Sequence, residues 1–170
     1  VTITFLGGSD TVTGSKYLVR HEKQCLLVDC GLFQGYKQLR LRNWNPLPVA
    51  PDQIDAVVLT HAHLDHSGYL PLLANEGFRG KVHATKGTQL LCRILLPDSG
   101  HLQEEDAAYA NRHSTSKHSP ALPLYTRQDA LNCQNLIKAH PFGQVFEPIP
   151  GWRVSFTQAG HILGASSVLL

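Results

Sequence analysis

The residues most capable of chemistry fall in one hexapeptide, His61-Ala62-His63-Leu64-Asp65-His66. Imidazole suits zinc and similar transition metals, and a carboxylate adds charge and can bridge ions. The cluster directly follows the apolar run Ala56-Val57-Val58-Leu59, which predicts a buried strand. Side chains alternate in an extended segment, so His61 and His63 point the same way and can grip one ion. Asp65 and His66 fall where the chain turns into Ser67-Gly68, and they can face a second ion. Two metals about 3.5–4 Å apart form the clamp that hydrolyses phosphoesters and related substrates. A surface histidine cluster without metal is the plain alternative. Four ligand-type residues in an H-x-H-x-D-H pattern at a strand end favour the metal.

Two further residues are candidates. His161 lies in Ala159-Gly160-His161-Ile162-Leu163-Gly164-Ala165, where flanking glycines let the backbone turn sharply. It reads equally as a third nitrogen ligand beside His61 and His63 or as an ordinary turn histidine. Asp29 closes the apolar run Leu26-Leu27-Val28 and precedes Gly31. A carboxylate there can orient a metal-bound histidine through its free ring nitrogen, or make a turn hydrogen bond. The other histidines, His21, His83, His101, His113, His118 and His140, lack ligand spacing and are expected on the surface or partly buried. Glu104, Glu105 and Asp106 read as the solvated face of a helix. The polar stretch Asn111 to His118 could touch a phosphate backbone, although a solvated loop is its plainer reading.

The elements that must position these groups follow from pattern. Val1 to Leu6, Ser15 to Arg20 and Gln24 to Val28 predict a β-meander. Gln34 to Asn43 is basic and polar, a solvated helix or loop. Pro46, Pro48 and Pro51 mark a connection. Beyond the histidine cluster, Tyr69 to Asn75 suits a short helix and Lys81 to Ala84 a strand. Lys86 to Leu95 has apolar residues at helical spacing, with Pro97 as an expected interruption and Glu104 to Tyr109 as a continuation or restart. Asn111 to Pro123 reads as a loop. Thr126 and Asp129 resemble a capping box ahead of a helix over Gln128 to Ala139. Phe142 to Pro148, Trp152 to Gln158 and Ser166 to Leu170 read as strands. Mixed strands and late helices predict an α/β sandwich rather than an all-β barrel.

The 170 residues fit one domain able to bury a sizeable core. A net charge of +2 is too small to identify a nucleic-acid binder, and permits one. Cys25, Cys30, Cys92 and Cys133 form no C-x-x-C pair, so they read as reduced, mostly buried thiols of a cytoplasmic protein. No apolar run is long enough to span a bilayer, which argues against a membrane partner.

With these motifs in place, the chain resembles the metallo-β-lactamase superfamily and, within it, the bacterial type of β-CASP RNA-processing nuclease. The superfamily's central motif matches His61 to His66, its first motif matches Asp29 in Asp29-Cys30-Gly31, and its third matches His161 in Gly-His-x-x-Gly-Ala. Thr11 to Ser15 and Pro97 to Tyr109 also resemble bacterial members. The resemblance implies the four-layer αββα sandwich, of which residues 1–170 would be the N-terminal portion. It implies zinc, with two ions expected in the full-length enzyme. His61, His63 and His161 would hold one ion, and Asp65 and His66 the other, with Asp29 behind them. It implies a ribonuclease in which a metal-activated hydroxide attacks RNA phosphodiesters. Asp65 would be catalytic, orienting that hydroxide or accepting its proton.

The sequence also departs from the family pattern. The fourth-motif Asp, the late histidines and the β-CASP region that contacts RNA are all absent up to Leu170. The chain is therefore expected to be an N-terminal fragment that binds metal weakly and has little activity. A sheet face left uncovered could drive a homodimer. Two other functions remain open: a hydrolase of a small thioester, lactone or phosphodiester, and a non-catalytic scaffold subunit of RNA processing.

Overall fold

A computed structural model describes residues 1–170. Three strands form the antiparallel meander, β1 (Thr2–Gly7), β2 (Lys16–His21) and β3 (Gln24–Val28). The sheet then continues in parallel through β4 (Ala56–Val58), β5 (Lys81–Thr85) and β6 (Ile137–His140). The result is six strands in sequence order. The helices are α1 (Lys37–Leu41), α2 (Leu64–Ser67), α3 (Leu70–Asn75), α4 (Lys86–His113) and α5 (Arg127–Cys133). A second, antiparallel sheet pairs β7 (Ser155–Gln158) with β8 (Ser166–Leu169).

Alternation along the strands builds two cores. Leu27, Val57, Val82 and Ile137 face the helices, where they meet Leu73, Cys92, Leu96 and Ala130. Val19, Leu26, Ala56 and Val58 face the other way and pack on Ile149, Trp152, Val154 and Phe156. Strands covered on both faces read as unbroken apolar runs, which is why Ala56 to Leu59 shows no polar alternation. The layers are therefore helix, sheet and sheet. On the outer face of β7–β8, Thr157, Ser167 and Leu169 are exposed. At the opposite edge, Ile3 and Phe5 of β1 are 56% and 61% exposed.

Several elements differ from their sequence reading. Helix α4 runs unbroken through Pro97 and on to His113. Pro removes one ladder bond and clashes with the preceding turn, yet its ring is buried here, as are Leu96, Ser99 and Gly100 around it. The helix expected over Gln128 to Ala139 ends at Cys133; a 3-10 turn follows, and Ile137 begins β6 opposite Val82. The strand expected at Phe142 to Pro148 is only one bridge, Phe146 to Val154. His83 and His140, expected on the surface or partly buried, are buried between the sheets, with His83 Nδ1 2.9 Å from His140 Nε2. No helix is long and apolar enough to cross a membrane.

Candidate metal centre

The histidine cluster leaves the C-terminal end of β4, which enforces its position. Asp29 N donates to Val58 O at 2.9 Å, and Leu59 N to His83 O at 2.9 Å. Beyond this point three backbone hydrogen bonds clamp the loop. Ser15 N donates to Asp65 O (2.9 Å), Cys30 N to His66 O (2.7 Å) and Leu32 N to Leu64 O (2.8 Å). Gly31 is required at this clamp, because a Cβ there would stand 1.6 Å from Asp65 O. Asp65 and His66 lie in the single turn of α2, and Ser67 Oγ closes it by donating to Ala62 O at 2.9 Å.

His161 arrives from the β7–β8 connection. Its loop is tied to the start of α4, where Thr85 and Thr88 hydroxyls donate to Gly164 O at 2.6 and 3.0 Å. Gly87 and Gly164 touch so closely that a Cβ on Gly87 would lie 2.7 Å from Gly164 Cα. Ser166 N donates to Thr60 O at 2.9 Å, joining the loop to the end of β4.

These restraints bring His61, His63 and His161 together, with one ligand atom from each within 4.8 Å of the others. His161 Nε2 is 3.1 Å from His63 Nδ1. Two nitrogens bound tetrahedrally to one zinc at the usual Zn–N length stand about 3.3 Å apart, so the pair fits a shared ion. Three imidazoles on one small cation also match a known donor set. Asp65 and His66 form a neighbouring group, with His66 Nε2 3.6 Å from Asp65 Oδ2. The rings of His61 and His66 are 4.0 Å apart.

Asp29 organises the second of these groups. It is 1% exposed and adopts a left-handed backbone (φ 57°). His66 Nδ1 lies 2.7 Å from Asp29 Oδ2. A carboxylate only accepts, so Nδ1 carries the proton and Nε2 keeps its lone pair. Thr60 N donates to Asp29 Oδ1 at 2.7 Å, and the Thr60 hydroxyl donates to the same carboxylate. Having spent its proton there, Thr60 Oγ1 accepts from His61 Nδ1 at 2.9 Å. His61 Nε2 is thereby freed as well. The signal the sequence offers for Thr60 is its position directly before His61, at the end of the apolar run.

Charge follows the same geometry. Burial, reinforced by His66, His63 and His161, pushes His61 down to about 4. The ring is neutral near pH 7 and available as a ligand. Burial would lower His66 too, but the hydrogen bond and charge of Asp29, with Asp65 adding, outweigh it and raise its pKa.

Comparison with known proteins supplies the family. The metallo-beta-lactamase superfamily model matches residues 10–130. The chain belongs to the metallo-beta-lactamase superfamily. It is 34% identical over 163 residues to Ribonuclease TTHA0252 of Thermus thermophilus, covering 96% of this chain and 33% of that protein. It is 31% identical to Transcription termination factor FttA of Cenarchaeum symbiosum, covering 98% and 24%. It is 29% identical to Endoribonuclease YSH1 of Gibberella zeae, covering 97% and 18%. The resemblance to the β-CASP RNA-processing group thus runs along essentially the whole chain, which spans a third or less of these relatives. Among solved structures, the metallo-beta-lactamase SMB-1 has a TM-score of 0.57 at 16% identity, covering 98% of this chain and 54% of that one. MEM-A1, a subclass B3 enzyme from a soil metagenome, scores 0.53 at 19% identity, covering 92% and 50%. These structures share the metallo-β-lactamase fold with this chain, whose helix–sheet–sheet layers correspond to about half of each.

Proposed function

We propose that this chain carries the metal-binding front of a zinc-dependent ribonuclease of the β-CASP type. The observation that carries the reading is the convergence of His61, His63 and His161, with the Asp29–Thr60–His66 network beside it. The three imidazoles would hold one zinc. Asp65 and His66 would contribute to a second position, and two donors alone leave that position open on this chain. Zinc bound there would supply Lewis acidity and a water of lowered pKa for attack on a phosphodiester.

The remaining chemistry belongs to the chain itself. Asp65, 26% exposed in its side chain, would orient an attacking water or take its proton. Asp29 and Thr60 fix the ring nitrogens that face the centre. RNA is the substrate this reading assigns, supported by the names of the ribonuclease relatives. Four unpaired, buried thiols suit a reducing compartment such as the cytoplasm. The exposed Ile3 and Phe5 of the edge strand offer a surface for a second copy.

Elemental analysis after equilibration with zinc tests the reading directly. The wild-type chain retains at least one zinc, and His63→Ala loses it. A folded wild-type chain that holds no zinc overturns the proposal. RNA cleavage by a chain with bound zinc, absent in the Asp65→Asn variant, would extend it to the reaction.

A further inference from the structure

Lys16 has no explanation in the metal centre. It opens β2 and, like Leu18 two residues on, faces the helical layer. It is 2% exposed. Its Nζ lies 4.7 Å from the centroid of the Phe33 ring and 4.6 Å from that of Tyr69, and it makes no ion pair with an acidic side chain. The two rings favour a cation electrostatically but accept no proton in a normal hydrogen bond. A buried ammonium without a counter-charge is costly. Burial accordingly pushes Lys16 down to about 8, against a raising effect of the Cys30 thiol.

The surroundings show which partner is missing. Phe33 and Tyr69 form part of the wall of a cavity of about 370 Å³, a volume in the range of small-ligand sites. Its lining also holds Phe5, Leu47 and Arg42, and no acidic side chain. The Arg42 guanidinium carbon lies 5.5 Å from the same Phe33 ring that Lys16 faces. The Tyr69 hydroxyl is buried and also lacks a partner. Ammonium and guanidinium only donate, so the ligand must accept and carry negative charge. Two cations lining one cavity suit a phosphate, which bears about −1.5 to −2 charges near pH 7. The aromatic and aliphatic walls suit an organic body attached to it.

We propose that this cavity binds a phosphate group carried on a small ligand, with Lys16 and Arg42 as its counter-charges. The site is separate from the metal centre and linked to it. Ser15, the neighbour of Lys16, donates its N–H to Asp65 O at 2.9 Å and accepts from Gly31 N at 3.0 Å. Occupancy is therefore felt one peptide unit from the metal loop.

Thermal unfolding in EDTA tests the site, since no metal then competes for phosphate. The probes are inorganic phosphate, uridine monophosphate, uridine and a 5′-phosphorylated trinucleotide, each at millimolar concentration. At least one phosphate-bearing probe raises Tm by about 3–6 °C, and uridine does not. The strongest probe identifies the source as the free ion, a mononucleotide or an RNA end. Lys16→Met removes the charge at similar volume, so its own Tm is not below wild type and its response to the probe is lost. Arg42→Gln alters an exposed residue without touching the core, and weakens the probe at least tenfold. No shift with any phosphate probe, or unchanged responses in both variants, overturns the proposal.

Discussion

Asp29 and His66, 37 residues apart in the chain, meet at 2.7 Å between Oδ2 and Nδ1. The bond fixes the tautomer of His66 and aims its Nε2 toward Asp65. Asp29→Asn keeps an acceptor and tolerates the left-handed backbone, but it removes the charge and places an amide donor against donors. Metal affinity falls about 10–100-fold, the usual cost of losing such a carboxylate partner. Asp29→Ala also leaves Thr60 N and His66 Nδ1 unpaired, and destabilises the fold by a further ~1–3 kcal/mol. Competition with a chromogenic chelator reads the first effect and urea unfolding the second. A wild-type zinc affinity in Asp29→Asn would refute the orienting role.

Gly87 and Gly164 provide a separate handle on His161. A methyl on Gly87 would lie 2.7 Å from both Cα and N of Gly164, so Gly87→Ala must displace the His161 loop. Within α4 the same change gains about 1 kcal/mol of helix propensity, which offsets part of the strain. Zinc affinity drops while the unfolding free energy of the metal-free chain stays within about 1 kcal/mol of wild type. Equal loss of both quantities would instead mean that the contact is purely structural.

The candidate metal residues are largely legible in the sequence because the information is local. Six consecutive residues carry His61 to His66, and an Asp at the end of an apolar strand is visible as such. His161 could be found only as a histidine between glycines, since nothing local says that its loop crosses to the end of β4. Lys16 was illegible: a lysine at a strand start reads as solvated, and only Phe33 and Tyr69, brought in from elsewhere, bury it. The pairing of His83 with His140 is illegible for the same reason, because their meeting depends on β5 pairing with β6. The segment after Cys133 reads as helix because Leu136 and Ile137 lie three and four residues beyond Cys133, a helical spacing, while the register with β5 decides for a strand. Tertiary pairing overrides local periodicity there.

The His83–His140 pair gives the fold a pH dependence with a defined sign. Burial first, then His140, Lys138 and Lys81, lowers His83 to about 4. Burial and Lys138 lower His140 as well. Groups with depressed folded pKa values bind fewer protons folded than unfolded. Their stability is therefore intact above about pH 6.5, the ordinary histidine value. It is lost as pH falls toward 4. Over that window each contributes a slope of at most about 1.4 kcal/mol per pH unit. Urea unfolding of the metal-free chain at pH 7, 6 and 5 measures it. His83→Gln flattens the curve, and wild-type and variant curves that run parallel would remove the pair from the explanation.

Zinc gives the broadest test, because on the proposed reading it binds the folded arrangement and not the extended chain. The three imidazoles come from two segments separated by 98 positions, His63 to His161, so unfolding disperses the site. A ligand present at one hundred times its Kd adds about 2.7 kcal/mol to stability. For a chain of this size that corresponds to a Tm rise of about 5–10 °C. His63→Ala and His161→Ala each abolish the rise, and EDTA reverses it in wild type. Acid reverses it as well, since the ligands must be unprotonated to bind. A rise that survives His161→Ala would place the ion on His61, His63, Asp65 and His66 alone, and would remove His161 from the ligand set.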